Sequence, residues 1–184
     1  MTLLAMLLVL ITSDTFVADA SAEASYIVNI SREALRGYVD DIGLFERNMP
    51  GVVGVTELED KTYLYRTEKN IPLKGPMKVD FRIRKFVLSD TLTVYRSVDV
   101  KDRNYMSCRV ALKPHDVTKT SITISLRVRM ERESPGDIHW LAPVLGEQFI
   151  SDRMTEDLED MLTEFITNSN RELYARIPQT TMRN

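Results

Sequence analysis

The chain has 184 residues, 43% hydrophobic and 28% charged, enough for one domain with a buried core. Its 24 Lys and Arg against 27 Asp and Glu give a net charge of −3, so it lacks the clustered basic excess that nucleic-acid binding requires. The single cysteine, Cys108, excludes an intramolecular disulfide framework and any multi-cysteine metal site.

Residues 3–11, LLAMLLVLI, form an uncharged apolar run too short to span a bilayer as a helix. The run fits the core of a secretory signal, with Ala18, Asp19 and Ala20, or Ala20, Ser21 and Ala22, supplying small residues for cleavage. No Lys or Arg precedes it, so a retained hydrophobic anchor, or an apolar extension from a misplaced start, are the alternatives. The expectation is a signal or hydrophobic segment over 1–22, a folded domain over 23–175 and a frayed tail over 176–184, in an exported or membrane-associated protein. A cytoplasmic protein is the other localisation. Asn29, Ile30 and Ser31 match a glycosylation sequon, relevant only in a eukaryotic secretory pathway.

SYIVNI, 25–30, reads as a first strand. Ser31 is an N-cap for REALRGYVDDIGLFERN, which breaks into two short helices near Asp40, Asp41 and Gly43. Met49, Pro50 and Gly51 stop the second helix, and Val52 begins an extended stretch. YLYRTEK, 63–69, follows as a strand. In PMKVDFRIRKF, Met77, Val79, Phe81 and Ile83 share one face. TLTVYRSV places Leu92, Val94 and Val98 on the apolar side, with Arg96 in phase with them. YMSCRVALK aligns Met106, Cys108, Val110 and Leu112, and SITISLRVRM aligns Ile122, Ile124, Leu126, Val128 and Met130. Strands with one apolar and one polar face, joined by short turns, predict an antiparallel meander. From Pro143–Glu147 to Tyr174, an apolar stripe of Leu145, Phe149, Met154, Leu158, Met161, Leu162, Phe165, Ile166 and Leu173 predicts a long helix.

The expected fold is α+β: a curved antiparallel sheet of about seven strands around a long C-terminal helix, with two short helices after the first strand. At about 4.8 Å per strand the sheet is far wider than one helix of about 10–12 Å, so it must curl. That geometry favours an apolar cavity between sheet and helix, although a filled core is the alternative.

Catalytic signals are sparse: there is no phosphate loop, zinc spacing or Ser/His/Asp pattern, and no cofactor is expected. His115 lies in a turn. His139 sits beside Trp140, just before the long helix, where a histidine can act as acid or base at a cleft; Trp140 reads as a packing anchor. An inward Arg96 could hold a carboxylate or head group, or extend its stem over apolar surface to reach water. Cys108 reads as a small buried hydrophobe.

The stretch YIVNISREALRGYVDDIGLFERNMPGVVGVTEL resembles the opening of the START-like (SRPBCC) superfamily of polyketide cyclases, dehydrases and lipid-transport proteins. PGV after the short helices, and GPMKVDFRIR, are closest to its carbon monoxide dehydrogenase G-like branch, with the coenzyme Q-binding branch second. The resemblance spans residues 24–168. It implies a helix-grip fold holding a hydrophobic small molecule or lipid. The implied contacts are Met49 and Pro50 at the mouth, then Phe81, Ile83, Val94, Cys108, Val110, Ile124, Leu126 and Val128 from the sheet, and Leu158, Leu162 and Phe165 from the helix. For any one of these, plain core is the default reading. The functional alternatives are a cyclase-type enzyme using His139 or Arg96, and an adaptor that recruits a membrane surface or a protein complex.

Overall fold

The computed structural model describes residues 15–71, 75–138 and 142–176. The apolar run 3–11 and the tail expected beyond Arg176 lie outside these residues. The order is β1 (Phe16–Val28), α1 (Arg32–Val39), α2 (Gly43–Asn48), β2 (Val52–Glu57), β3 (Thr62–Ile71), β4 (Gly75–Ser89), β5 (Leu92–Ser97), β6 (Asn104–Pro114), β7 (Thr120–Arg132) and α3 (Ala142–Arg176). All seven strands join one antiparallel sheet, ordered β1-β7-β6-β5-β4-β3-β2. Short turns make β2 to β7 sequential neighbours, whereas α1 and α2 carry the chain from β1 to the opposite side of the sheet. The sheet curves around α3 in the expected α+β helix-grip arrangement.

The capping reading holds for α1: Ser31 Oγ accepts the Ala34 amide at 3.4 Å. Asp40 ends the helix and is fixed in place by Arg36 at 2.9 Å and Lys85 at 3.2 Å. Burial opposes its ionisation, but hydrogen bonds from Arg36 and Lys85 outweigh that and hold its carboxyl below the ordinary range. Asp41 Oδ1 then accepts the Gly43 amide at 2.9 Å, opening α2. At the corner into β2, Gly51 adopts φ +76, and its carbonyl accepts the Glu68 amide at 2.7 Å. A Cβ there would stand 3.1 Å from the Glu68 carbonyl oxygen, so both conformation and space require glycine.

Three sequence expectations need correction. The first strand begins at Phe16, not Ser25, and Phe16, Ala18, Ala20 and Ala22 are buried along it. The small residues 18–22, read as a cleavage site, are rungs paired with β7 from Leu126 to Met130. Alanine is a poor strand former, but α3 packs on β1 and small side chains allow close approach.

The second correction concerns β5, whose phase is reversed. Thr93, Tyr95 and Ser97 face the core and each finds a polar partner. Thr93 Oγ1 lies 3.1 Å from Asp40 Oδ1, the Tyr95 hydroxyl donates to the Val39 carbonyl at 3.1 Å, and Ser97 Oγ accepts the Met106 amide at 2.9 Å. Arg96 is therefore exposed on the outer face, 4.5 Å above the Phe86 ring. Val94 is buried on that same outer side, between Phe86 and Arg109 in register.

The third concerns the start of α3. Gly146 at φ +79 interrupts the helix, and Leu145 and Phe149 are 39% and 47% exposed rather than packed. The buried stripe begins at Ile150 and continues through Leu158, Leu162, Phe165 and Leu173.

Hydrogen bonds attach α3 to β1: Glu147 Oε1 accepts the Val17 amide at 2.9 Å, and Ser151 Oγ accepts the Asp19 amide at 3.2 Å. Just past the strand, the Asn29 amide donates to the Tyr174 hydroxyl at 3.2 Å.

Candidate functional site

The inward faces of β3 to β7 and the middle of α3 do not meet everywhere. Between them lies a cavity of about 400 Å³, within the range of small-molecule sites. Phe81 and Ile83 wall it from β4, Cys108 from β6, Leu126 and Val128 from β7, and Leu158 from α3. Met49, Pro50 and Gly51 close the corner beside α2. Six of the nine methionines also line it: Met49, Met77, Met106, Met130, Met154 and Met161. Methionine is unbranched and polarisable, so such a wall adapts to irregular apolar shapes.

Phe45 of α2 forms one end of the cavity. Its ring stacks on Phe165 at 5.6 Å and meets Tyr95 edge-on at 5.0 Å. Beyond that ring is a void of only about 10 Å³, bordered by Val110, Ile124 and Phe165. These three expected contacts are core side chains behind the wall, as is Leu162, 1% exposed. Val94 and Arg96 lie on the outer side of the sheet. His139 and Trp140 lie outside the described residues. Of the sixteen positions expected from sequence, eight border the cavity: Met49, Pro50, Phe81, Ile83, Cys108, Leu126, Val128 and Leu158.

Alternation alone puts Met77, Met106 and Met130 on inward faces, but nothing in it assigns them to a site. Tyr65 and Tyr95 are lining residues that the sequence pattern does not single out. A signal is present: Tyr65 shares one face of β3 with Tyr63 and Thr67, but an aromatic strand residue reads first as packing.

Among the described lining residues, the charged ones, Glu68, Lys69, Arg153, Asp157 and Asp160, are all partly or fully exposed. Lys69 of β3 pairs with Asp157 of α3, and Arg153 lies 3.8 Å from the same carboxylate. Inside, the Cys108 thiol is pushed up to about 12 by burial, so it is protonated at neutral pH and a poor nucleophile. A thiol reagent at pH 8 is therefore expected to leave native Cys108 unmodified and to label it in denaturant; rapid labelling of native protein would contradict the buried placement. The folded value exceeds the unfolded one, so the native state keeps this proton while the unfolded chain loses it. This contribution to stability is complete below about pH 9 and declines as pH rises towards 12.

No group of three candidate metal ligands occurs among the described residues, and none of their helices is long and apolar enough to cross a membrane.

Neither a protein-family model nor a curated protein matches the sequence. Solved structures do. The Zhui aromatase/cyclase from Streptomyces sp. R1128 superposes with TM-score 0.61 at 14% identity, over 86% of this chain and 95% of that one. A START superfamily protein from Mycobacterium smegmatis gives 0.54 at 15% identity, over 79% and 93%. The di-domain aromatase/cyclase StfQ of the steffimycin pathway gives 0.57 at 11% identity; 86% of this chain spans 52% of it, about half. At such identities the likeness defines the fold. This chain has the START-like helix-grip fold. The finer resemblance to the carbon monoxide dehydrogenase branch finds no counterpart among these structures.

Proposed function

We propose that the protein binds a hydrophobic small molecule or lipid in the cavity between the sheet and α3. The observation that carries this reading is the cavity itself: about 400 Å³ walled by methionine, aromatic and aliphatic side chains, with the charged residues of the described lining all partly or fully exposed. Burying an apolar molecule there removes its surface and that of the walls from water, gaining about 25 cal/mol per Å². The aromatase/cyclase neighbours make a cyclase-type enzyme the second reading. Arg96 cannot serve it inside the cavity, because that side chain lies on the outer face.

Export or membrane attachment rests on the apolar run at residues 3–11. We place any processing ahead of Phe16, because a cut within 18–22 would remove rungs of β1.

The test uses N-phenyl-1-naphthylamine, a neutral apolar fluorophore, together with native mass spectrometry of protein from its source. One-to-one binding with a blue-shifted emission is expected, or a co-purifying apolar mass. Met106→Trp, which fills the cavity, should weaken the probe at least about tenfold with the circular dichroism spectrum unchanged. Probe binding that ignores this substitution would locate the site elsewhere and remove the reading's support.

A further inference from the structure

The cavity is apolar but not uniformly so. Tyr65 lines it, is 4% exposed, and is flanked in register by Val55 of β2 and Phe81 of β4. Among the described residues its hydroxyl has no hydrogen-bond partner. Among the described residues the sealed side-chain oxygens without partners are Ser169 Oγ and Asn170 Oδ1. The Tyr65 oxygen is not among them, which leaves it against the open space of the cavity.

The other hydroxyls facing this space are committed. The Tyr95 hydroxyl donates to the Val39 carbonyl at 3.1 Å, and Thr67 Oγ1 donates to the Val79 carbonyl at 2.9 Å. Among the described residues the two cations on the lining, Lys69 and Arg153, both engage Asp157 at the rim. Neither offers a free charge to the interior. Burial pushes the Tyr65 phenol well above its ordinary range, so it stays neutral and keeps its proton to donate. Tyrosine hydroxyls buried in native proteins ordinarily find a partner.

We propose that Tyr65 donates a hydrogen bond to the ligand, and that the ligand is an uncharged apolar molecule carrying an acceptor oxygen of the ketone, quinone or ester kind. The inference rests on the cavity being the ligand site, and it narrows the class of that ligand. A carboxylate or phosphate placed at Tyr65 would be an unpaired charge in an apolar enclosure and is disfavoured. A pure hydrocarbon would leave the phenol unsatisfied, so the site discriminates between molecules of equal shape by one oxygen.

Two probes separate the cases: 2-acetylnaphthalene, with a carbonyl, and 2-ethylnaphthalene, the same skeleton without the oxygen. Beyond what their different water solubilities dictate, the wild-type protein should favour the ketone about five- to tenfold, the worth of one net hydrogen bond. Tyr65→Phe should erase that preference and leave 2-ethylnaphthalene binding unchanged. An independent readout on wild-type protein is the carbonyl stretch of bound 2-acetylnaphthalene, expected at lower frequency than in hexane; it needs no variant to fold. Equal binding in wild type and Tyr65→Phe, with an unshifted carbonyl, would overturn the donor role while leaving the cavity reading intact. Failure of both probes to bind wild-type protein would overturn the cavity reading and this one with it.

Discussion

A chain beginning at Glu23 is expected to lose cooperative thermal unfolding, or to melt far below the full chain. The cut removes seven consecutive rungs with β7, Phe16 to Ala22, together with four buried side chains: Phe16, Ala18, Ala20 and Ala22. Burying one phenylalanine contributes about 1.5–3 kcal/mol and each alanine methyl somewhat under 1 kcal/mol. The apolar part alone thus approaches 5 kcal/mol, against a typical domain stability of about 5–15 kcal/mol. The cut also discards Asp19, whose amide bonds Ser151 and whose carboxylate pairs with Arg127 at 2.6 Å. Full-length Ala18→Asp tests the same packing without truncation: a carboxylate at a position 0% exposed under α3 should cost upwards of about 3 kcal/mol. If either protein melts with the full chain, β1 does not begin where the structure places it.

Phe45→Ala is expected to be the most costly single truncation at the site, at about 3–5 kcal/mol. In a chain of this size that lowers the melting temperature by roughly 6–20 °C. Three things are lost together: the stack on Phe165, the edge contact with Tyr95, and the wall between the cavity and the void behind it. N-phenyl-1-naphthylamine should still bind, because the ring is an end of the cavity rather than its lining throughout. Chemical denaturation together with probe titration reads both effects. A loss under about 1 kcal/mol would mean that α2 does not seal the cavity as described, since a buried aromatic with two ring partners does not leave cheaply.

The architecture was legible wherever one physical rule acted alone. Alternation in β4, β6 and β7 named the inward residues correctly because each strand has an apolar face and a wet face. Ser31, Pro50 and Gly51 marked the helix start and the corner because their backbone demands are local. Reading failed where two rules competed. In β5 the apolar Leu92 and Val94 face outward, while Thr93, Tyr95 and Ser97 turn inward to meet Asp40, Val39 and Met106. No local pattern contains those partners, and Arg96 was drawn inward with the wrong face. In β1 the alanines carry too little hydrophobicity to announce a strand, and their meaning depends on a helix some 130 residues later. Leu145 and Phe149 continued a stripe that the backbone of Gly146 interrupts. Half of the expected site positions border the cavity for the same reason. Periodicity tells inward from outward, but it cannot tell a wall from the core behind it, and Val110 and Ile124 lie beyond Phe45.

The hydrogen bonds that join α3 to β1 bear on how copies of this molecule behave towards one another. A strand at the margin of a sheet displays amides that invite a further strand from another chain. At Val17 and Asp19 those amides are already occupied by Glu147 and Ser151. At the far margin β2 is only six residues long and its register is broken between Val52 and Gly54. The start of the longer margin strand is thus covered, and the opposite margin is short and irregular. The helix that encloses the cavity also protects the sheet from templated growth, so loosening it to admit a larger cargo would put self-association at stake.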